Sequence, residues 1–264
     1  MNNKVLLSKK LNKTLILTLN RPERLNALNV QLLNKLLEEL EKASLDKEVL
    51  GIIITGTGKG FCAGGDLKER LNFFEEDSTI YGDVMLTKLR NICTLIESIG
   101  KPVIAAINGH AIGGGLELAF ACDIRLLNEN AKIGLTEPRV GMIPGAGGTQ
   151  RLPRLIGASR AKELLMIAEP IDAQTAKEYG TVNKLIESES NIIEEAENIL
   201  QKIYKNAPLA IKMIKFSINK GMQMSLSEGL DFEASCTSFL KNSFDRKEGI
   251  TAFQEKREPN FIGK

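Results

Sequence analysis

At 264 residues and 43% hydrophobic content, the chain can bury one sizeable core, and one domain or two are both open. Lys and Arg number 35 against 33 Asp and Glu, so the formal charge of +2 provides no general field for gripping nucleic acid or an anionic membrane. No apolar run approaches the roughly 20 residues of a membrane span, Met1 to Lys10 has no signal or transit character, and Cys62, Cys93, Cys122 and Cys236 are scattered without a CxxC pair; a soluble, cytoplasmic protein with reduced thiols is expected.

Two strand-like runs, Val5 to Ser8 and Thr14 to Asn20, flank a short turn at Leu11 to Lys13 and predict an opening hairpin. Leu32, Leu33, Leu36, Leu37, Leu40 and Ala43 then recur at helical spacing, which predicts an amphipathic helix over 29–46. Leu50 to Thr55 is almost wholly apolar and reads as a strand buried on both faces. A second helical stripe (Met85, Leu86, Leu89, Ile92, Cys93, Ile96) precedes the apolar strand Val103 to Ile107 and a glycine-rich turn over 108–115. A short helix over 113–122 and a strand over 123–127 follow, so repeated strand and helix units predict an α/β architecture with crossover connections. The polar segment Leu71 to Asp83, with Phe73 and Phe74, reads as a mobile loop beside a site.

Beyond Ala158 the pattern is mostly helical: 158–168, 172–179, 192–205, 209–220, 225–242 and 245–258, with a possible strand over 182–186. The one boundary this suggests lies near residue 195, dividing a core of residues 1–195 from a helical region of residues 196–264.

Three glycine-rich stretches, Gly64-Gly65-Asp66, Gly113-Gly114-Gly115 and Gly145-Ala146-Gly147-Gly148, each precede a helical pattern. Amides at such helix starts hold oxyanions or phosphates. Nucleotide signatures fail: Gly58-Lys59 is followed by Gly60 with no glycine at 53, and Gly113-x-Gly115 meets Leu118 where a third glycine belongs. An oxyanion reading fares better, because Glu117 lies three residues beyond Gly114, on the same helical face as its amide. The neighbours of Glu117 are apolar (Leu116, Leu118, Ala119, Phe120, Ala121), so exposure is hard to arrange. Buried acids are rare unless paired or functional. The plainer reading, a surface acid after glycines that let a helix pack on a strand, stays open. His110, the only histidine, invites a triad reading, yet no Gly-x-Ser-x-Gly accompanies it.

The run Lys101 to Leu118 (KPVIAAINGHAIGGGLEL) with Cys122-Asp123-Ile124, the run Phe61 to Lys68 (FCAGGDLK) and the run Ile143 to Pro153 (IPGAGGTQRLP) together resemble the enoyl-CoA hydratases of the crotonase superfamily. The resemblance runs from Asn20-Arg21-Pro22 to the closing 252–257. It implies a crotonase-like repeated β-β-α spiral core with a C-terminal helical region serving oligomerisation and CoA contacts. It implies catalytic acids at Glu117 and Glu137 and an oxyanion hole of the Gly65 and Gly114 amides. Ala63, Asp66 and Lys68 after the first glycine loop, and Phe253 and Lys256 on the last helix, are the implied substrate contacts. The implied partner is an acyl-CoA thioester, with coenzyme A as part of the substrate, no separate cofactor, no metal, and a homotrimer or a hexamer built from trimers. Both acids are present, which favours hydration over isomerisation or thioester hydrolysis. Gly134-Leu135-Thr136-Glu137 is similar to the methylglutaconyl-CoA hydratase branch, and Gly65 stands where many members carry alanine. The alternatives are a Δ3,Δ2-enoyl-CoA isomerase or another crotonase reaction, and an RNA-associating protein with a vestigial site, against which the balanced charge argues.

Overall fold

The computed structural model describes residues 4–74 and 79–264, with side chains outside 72–84. The chain opens with the antiparallel hairpin β1 (Leu6–Leu11) and β2 (Thr14–Leu19). Helix α1 (Val30–Leu45) follows, capped by Asn29, whose side chain accepts from the Leu32 amide. Strands β3 (Gly51–Gly56) and β4 (Gly60–Cys62) lead into α2 (Leu67–Phe74) and α3 (Thr79–Ser98). The same order recurs as β5 (Val103–Ile107), β6 (His110–Ile112) and α4 (Gly114–Ala121). A third pass, β7 (Ile124–Asn128) and β8 (Lys132–Gly134), ends in a single 3-10 turn, Glu137–Val140.

In each pass the first strand joins one sheet and the second strand another. The larger sheet runs β2-β3-β5-β7 in parallel, with β1 antiparallel at one edge. The smaller sheet places β4, β6 and β8 side by side in parallel. The repeated β-β-α spiral is therefore the architecture observed. Helices α5 (Gly148–Ile156) and α6 (Ala158–Ile167) lead to β9 (Ile171–Asp172), antiparallel to β8, then α7 (Ala173–Glu178) and β10 (Lys184–Ile186), parallel to β7.

Alternation along the strands sorts the core. Leu15, Leu17, Leu19, Ile52, Ile54, Val103, Ala105 and Ile107 face α1, α3 and α4 in the main core. Ile16, Ile53, Ile104 and Ala106 point the other way and are covered by Ile192, Ala196 and Leu200 of α8 (Ile192–Ile203). Burial on both faces explains the unbroken apolar runs of β3 and β5. Residue 195, the expected boundary, lies inside α8, on the helix that closes the outer face of the larger sheet. Helices α9 (Pro208–Gly221), α10 (Leu226–Leu240) and α11 (Phe244–Glu255) follow.

Two expectations change. The turn expected over 108–115 contains β6, three residues between Gly109 and Gly113, too short for any periodicity to show. Of the loop expected over 71–83, residues 71–74 end α2 and 79–83 begin α3, while 75–78 lie outside the described residues. Among the described residues no helix is long and apolar enough to cross a membrane, and all four cysteines are buried and unpaired.

Candidate active site

The carboxyl ends of three parallel strands, β4, β6 and β8, converge on one cavity of about 810 Å³. Ligands of α/β folds gather at that end of the strands, where loops and helix starts offer unpaired backbone groups. Ala63, Gly64 and Gly65 follow β4, Gly113 and Gly114 follow β6, and Thr136 and Glu137 follow β8; all seven line the cavity. Glu117 reaches it from α4, and Leu28, Leu33, Met85, Leu86 and Leu89 form apolar wall.

The backbone at Gly65 is set by Leu28, whose amide donates to the Gly64 carbonyl (2.7 Å) and whose carbonyl accepts from the Asp66 amide (2.9 Å). Alternate amides of an extended segment point to opposite sides, so the Gly65 N–H is turned away from Leu28. Gly114 is the first residue of α4, where an amide has no intrahelical carbonyl to meet. The Gly113 amide is engaged by the Gly134 carbonyl (2.8 Å), whereas neither Gly65 nor Gly114 donates to any partner among the described residues. The two loops abut: a β-carbon built on Gly114 would stand 3.9 Å from the Gly65 nitrogen.

Glu117 is 2% exposed. Its Oε1 accepts from the amides of Ala146 and Gly148, both at 2.8 Å. The third glycine-rich stretch thus holds an anion, and the anion is the protein's own carboxylate. Both of these bonds fall on Oε1, and Glu117 lines the cavity. Burial raises the Glu117 carboxyl above its ordinary range, against the pull of the two amides and of Arg151.

Glu137 begins the 3-10 turn, and its Oε2 is buried without a hydrogen-bond partner. Burial pushes this carboxyl up to about 7, with the Glu117 charge adding to the rise while its own backbone amide and Arg70 oppose it. Two acids in one cavity therefore differ in environment: Glu117 is held by donors to its ionised form, and Glu137 has no such donor on Oε2. Paired carboxyls separated in this way divide naturally into base and acid.

The other expected contacts are spread more widely. Ala63 is exposed and lines the cavity. Asp66 turns away from it, pairing at 2.8 Å with Arg21 and accepting the Glu69 amide at the start of α2. Lys68 is exposed on α2 outside the lining. Phe253 is 86% exposed on α11 and Lys256 is the exposed residue that ends this helix, both away from the cavity. His110 is exposed on β6, and its Nδ1 accepts the Lys132 amide at 2.9 Å. Arg70, Arg139 and Met142 also line the cavity and were not singled out from the sequence, whereas Thr136 was read there only as a neighbour of Glu137; a short helix and a 3-10 turn offer no periodicity that would mark them.

The enoyl-CoA hydratase/isomerase family matches residues 10–264. The chain is 42% identical over 257 residues to the short-chain-enoyl-CoA hydratase of Clostridium acetobutylicum, covering 97% of this chain and 96% of that one. To the mitochondrial methylglutaconyl-CoA hydratase of Mus musculus it is 40% identical over 252 residues, covering 94% of this chain and 79% of that one. The crystal structure of an enoyl-CoA hydratase from Bacillus anthracis superposes with a TM-score of 0.94 at 40% identity, covering 98% of this chain and all of that one. With residues 10–264 matched and its fold shared, the chain belongs to the enoyl-CoA hydratase/isomerase family of the crotonase superfamily.

Proposed function

We propose that the protein hydrates 2-enoyl-CoA thioesters, adding water across C2=C3. The observation that carries this reading is one cavity holding two carboxyl groups, one gripped by two backbone amides and the other with an unpartnered buried oxygen, and two amide N–H groups without a partner among the described residues.

In this reading the thioester oxygen accepts from the Gly65 and Gly114 amides, which stabilise the negative charge it gains as the enolate forms. One such donor contributes about 3–4 kcal/mol to the transition state. Oε2 of ionised Glu117 takes a proton from water as the oxygen of that water bonds to C3. Protonated Glu137 donates its proton to C2, completing the 3-hydroxyacyl thioester. The turnover leaves Glu117 protonated and Glu137 ionised, and transfer of one proton between them or through solvent restores the start. General acid and base help of this kind contributes roughly 10² to 10⁴ in rate.

The apolar wall from Leu28, Leu33, Met85, Leu86 and Leu89 suits a short acyl chain. The names of the relatives span short straight and branched carboxylated acyl groups. Ala63 borders the thioester end, while Lys68, and Phe253 and Lys256 from a neighbouring subunit, are the proposed contacts of the CoA moiety. That sharing goes with assembly into trimers or hexamers, for which the exposed apolar residues Phe216 and Ile218 of α9, Met222 just after it and Leu226 of α10 supply surface. Location in the cytoplasm remains part of the same proposal.

Hydration is tested by following loss of the conjugated absorbance across a ladder of straight, branched and carboxylated 2-enoyl-CoA thioesters, with product identification. Turnover of a 3-enoyl-CoA to the 2-enoyl isomer without hydration would instead establish the isomerase activity of this family.

A further inference from the structure

Glu117 is gripped by a loop, and the loop is itself held in place from outside the cavity. Arg151, in the first turns of α5, extends Nη1 back to the Ala146 carbonyl at 2.8 Å. Its Nε and Nη2 fork onto Glu97 of α3, at 2.6 Å to Oε1 and 2.9 Å to Oε2. The backbone amides of Gln150 and Arg151 close on the Gly147 carbonyl at 3.0 and 2.7 Å. Ala146 is therefore clamped at both ends, its carbonyl by Arg151 and its amide by Glu117. A bidentate guanidinium–carboxylate pair fixes orientation as well as distance. Neither Arg151 nor Glu97 lines the cavity.

We propose that Arg151, aligned by Glu97, is a positioning residue for Glu117: it pins the loop that presents the Ala146 and Gly148 amides and places a guanidinium charge behind that loop. The proposal deepens the hydratase reading above and rests on it for its catalytic consequence. The charges around α4 are few. Cys93 on α3, Cys62 on β4 and Cys122 at the end of α4 surround it, and burial pushes all three thiols up, so they stay neutral. Among the described residues, Arg151 from α5, paired with Glu97 of α3, bears on Glu117 from behind the loop, and Glu137 faces it across the cavity, whose wall also carries Arg70 and Arg139. Arg151 lowers the Glu117 pKa and so works against burial.

The roles predict opposite shifts for the two partners. In Arg151→Met the cation is gone, so the acidic limb of the kcat/KM profile moves to higher pH, and kcat falls by about 10²-fold with little change in KM. In Glu97→Gln the cation loses its neutralising partner, and the limb moves to lower pH. Arg151→Lys keeps the charge without the fork, so the limb stays near the wild-type position while kcat recovers only in part. The amide resonances of Ala146 and Gly148 in the 15N-labelled full-length protein titrate with Glu117 and should follow the same directions. Limbs and amide titrations that do not move, or that move together in both variants, would overturn the proposal. Amide titrations that shift as expected in a protein without hydratase activity would uphold the pinning and sink the hydratase reading instead. If Arg151→Met does not fold, Glu97→Gln and Arg151→Lys carry the same test.

Discussion

Glu137 lies directly over Gly113: a β-carbon built at Gly113 would stand 2.9 Å from the Glu137 Oε1. Gly113 also has φ +53° and ψ −129°, a conformation that side-chain-bearing residues rarely adopt. Gly113→Ala should therefore displace the Glu137 carboxyl and strain the turn that presents the Gly114 amide. The expected result is a fall in kcat on the order of 10²-fold. Gly65→Ala provides the contrast, since its β-carbon would meet only the flexible Met85 methyl at 3.1 Å and its φ is ordinary. Steady-state kinetics on folded protein should show Gly65→Ala within a few fold of wild type. Equal losses in both variants would remove the steric argument.

Glu117→Gln and Glu137→Gln should each lower kcat by roughly 10² to 10⁴ while calorimetric binding of a CoA thioester persists. Near-normal hydration by either variant would exclude that glutamate from the chemistry.

The two acids also predict a bell-shaped kcat/KM profile. Activity rises with pH as Glu117 ionises and falls as Glu137 loses its proton near its value of about 7. The stability consequence has a definite sign. Folded Glu137 holds its proton more tightly than the unfolded chain does, so its contribution is present at low pH and is lost as pH rises through about 7. Glu137→Gln abolishes that loss, so the variant should gain melting temperature relative to wild type above pH 7 and gain little at pH 5. Parallel melting curves at both pH values would contradict the raised pKa.

How much of this was legible in the sequence depends on length. Helices α1 and α3 and strands β3 and β5 are long enough for period 3.6 or an unbroken apolar run to declare them. The smaller sheet was invisible, because β4, β6 and β8 have three residues each and are defined by partners distant in sequence. Burial of Glu117 could be read from its apolar flanks. Its clamp by Ala146 and Gly148 could not, because two amides 29 and 31 residues away meet it only through the fold. The glycines of that stretch did signal free amides, and only the identity of the anion was missing. Asp66 shows the converse: its place after Gly65 suggests a substrate contact, but Arg21, 45 residues earlier, takes its carboxylate.

That pairing makes a prediction of its own. Arg21 Nη1 also donates to the Ala27 carbonyl at 2.5 Å, so the Arg21–Asp66 pair ties the segment before α1 to the Gly64-Gly65 loop. If Asp66 acts by holding the loop, Asp66→Asn and Arg21→Met should cause similar losses of kcat and stability, and the double variant should lose little more than either alone. Additive losses would return Asp66 to a role of its own at the substrate.

The C-terminal helices are fastened to the core by one buried cation, and this too can be tested. Lys215 on α9 is 8% exposed and directs its three protons to the Asp123 carboxylate (2.7 Å), the Ile96 carbonyl (2.7 Å) and the Lys101 carbonyl (3.1 Å). Burial raises the Asp123 carboxyl, and Lys215 opposes that rise. Lys215→Met leaves the half-buried Asp123 with the Val103 amide and the charge of Arg125 to answer its own. Breaking a buried pair from one side costs about 3–5 kcal/mol, largely because the remaining charge is stranded. Denaturant unfolding at pH 7 should therefore show a large loss for Lys215→Met, reduced when Asp123→Asn is added. The loss should also shrink toward acidic pH, where the stranded carboxyl takes up a proton. A double variant as unstable as the sum of the two single ones would show that Lys215 acts through its carbonyl contacts rather than through Asp123.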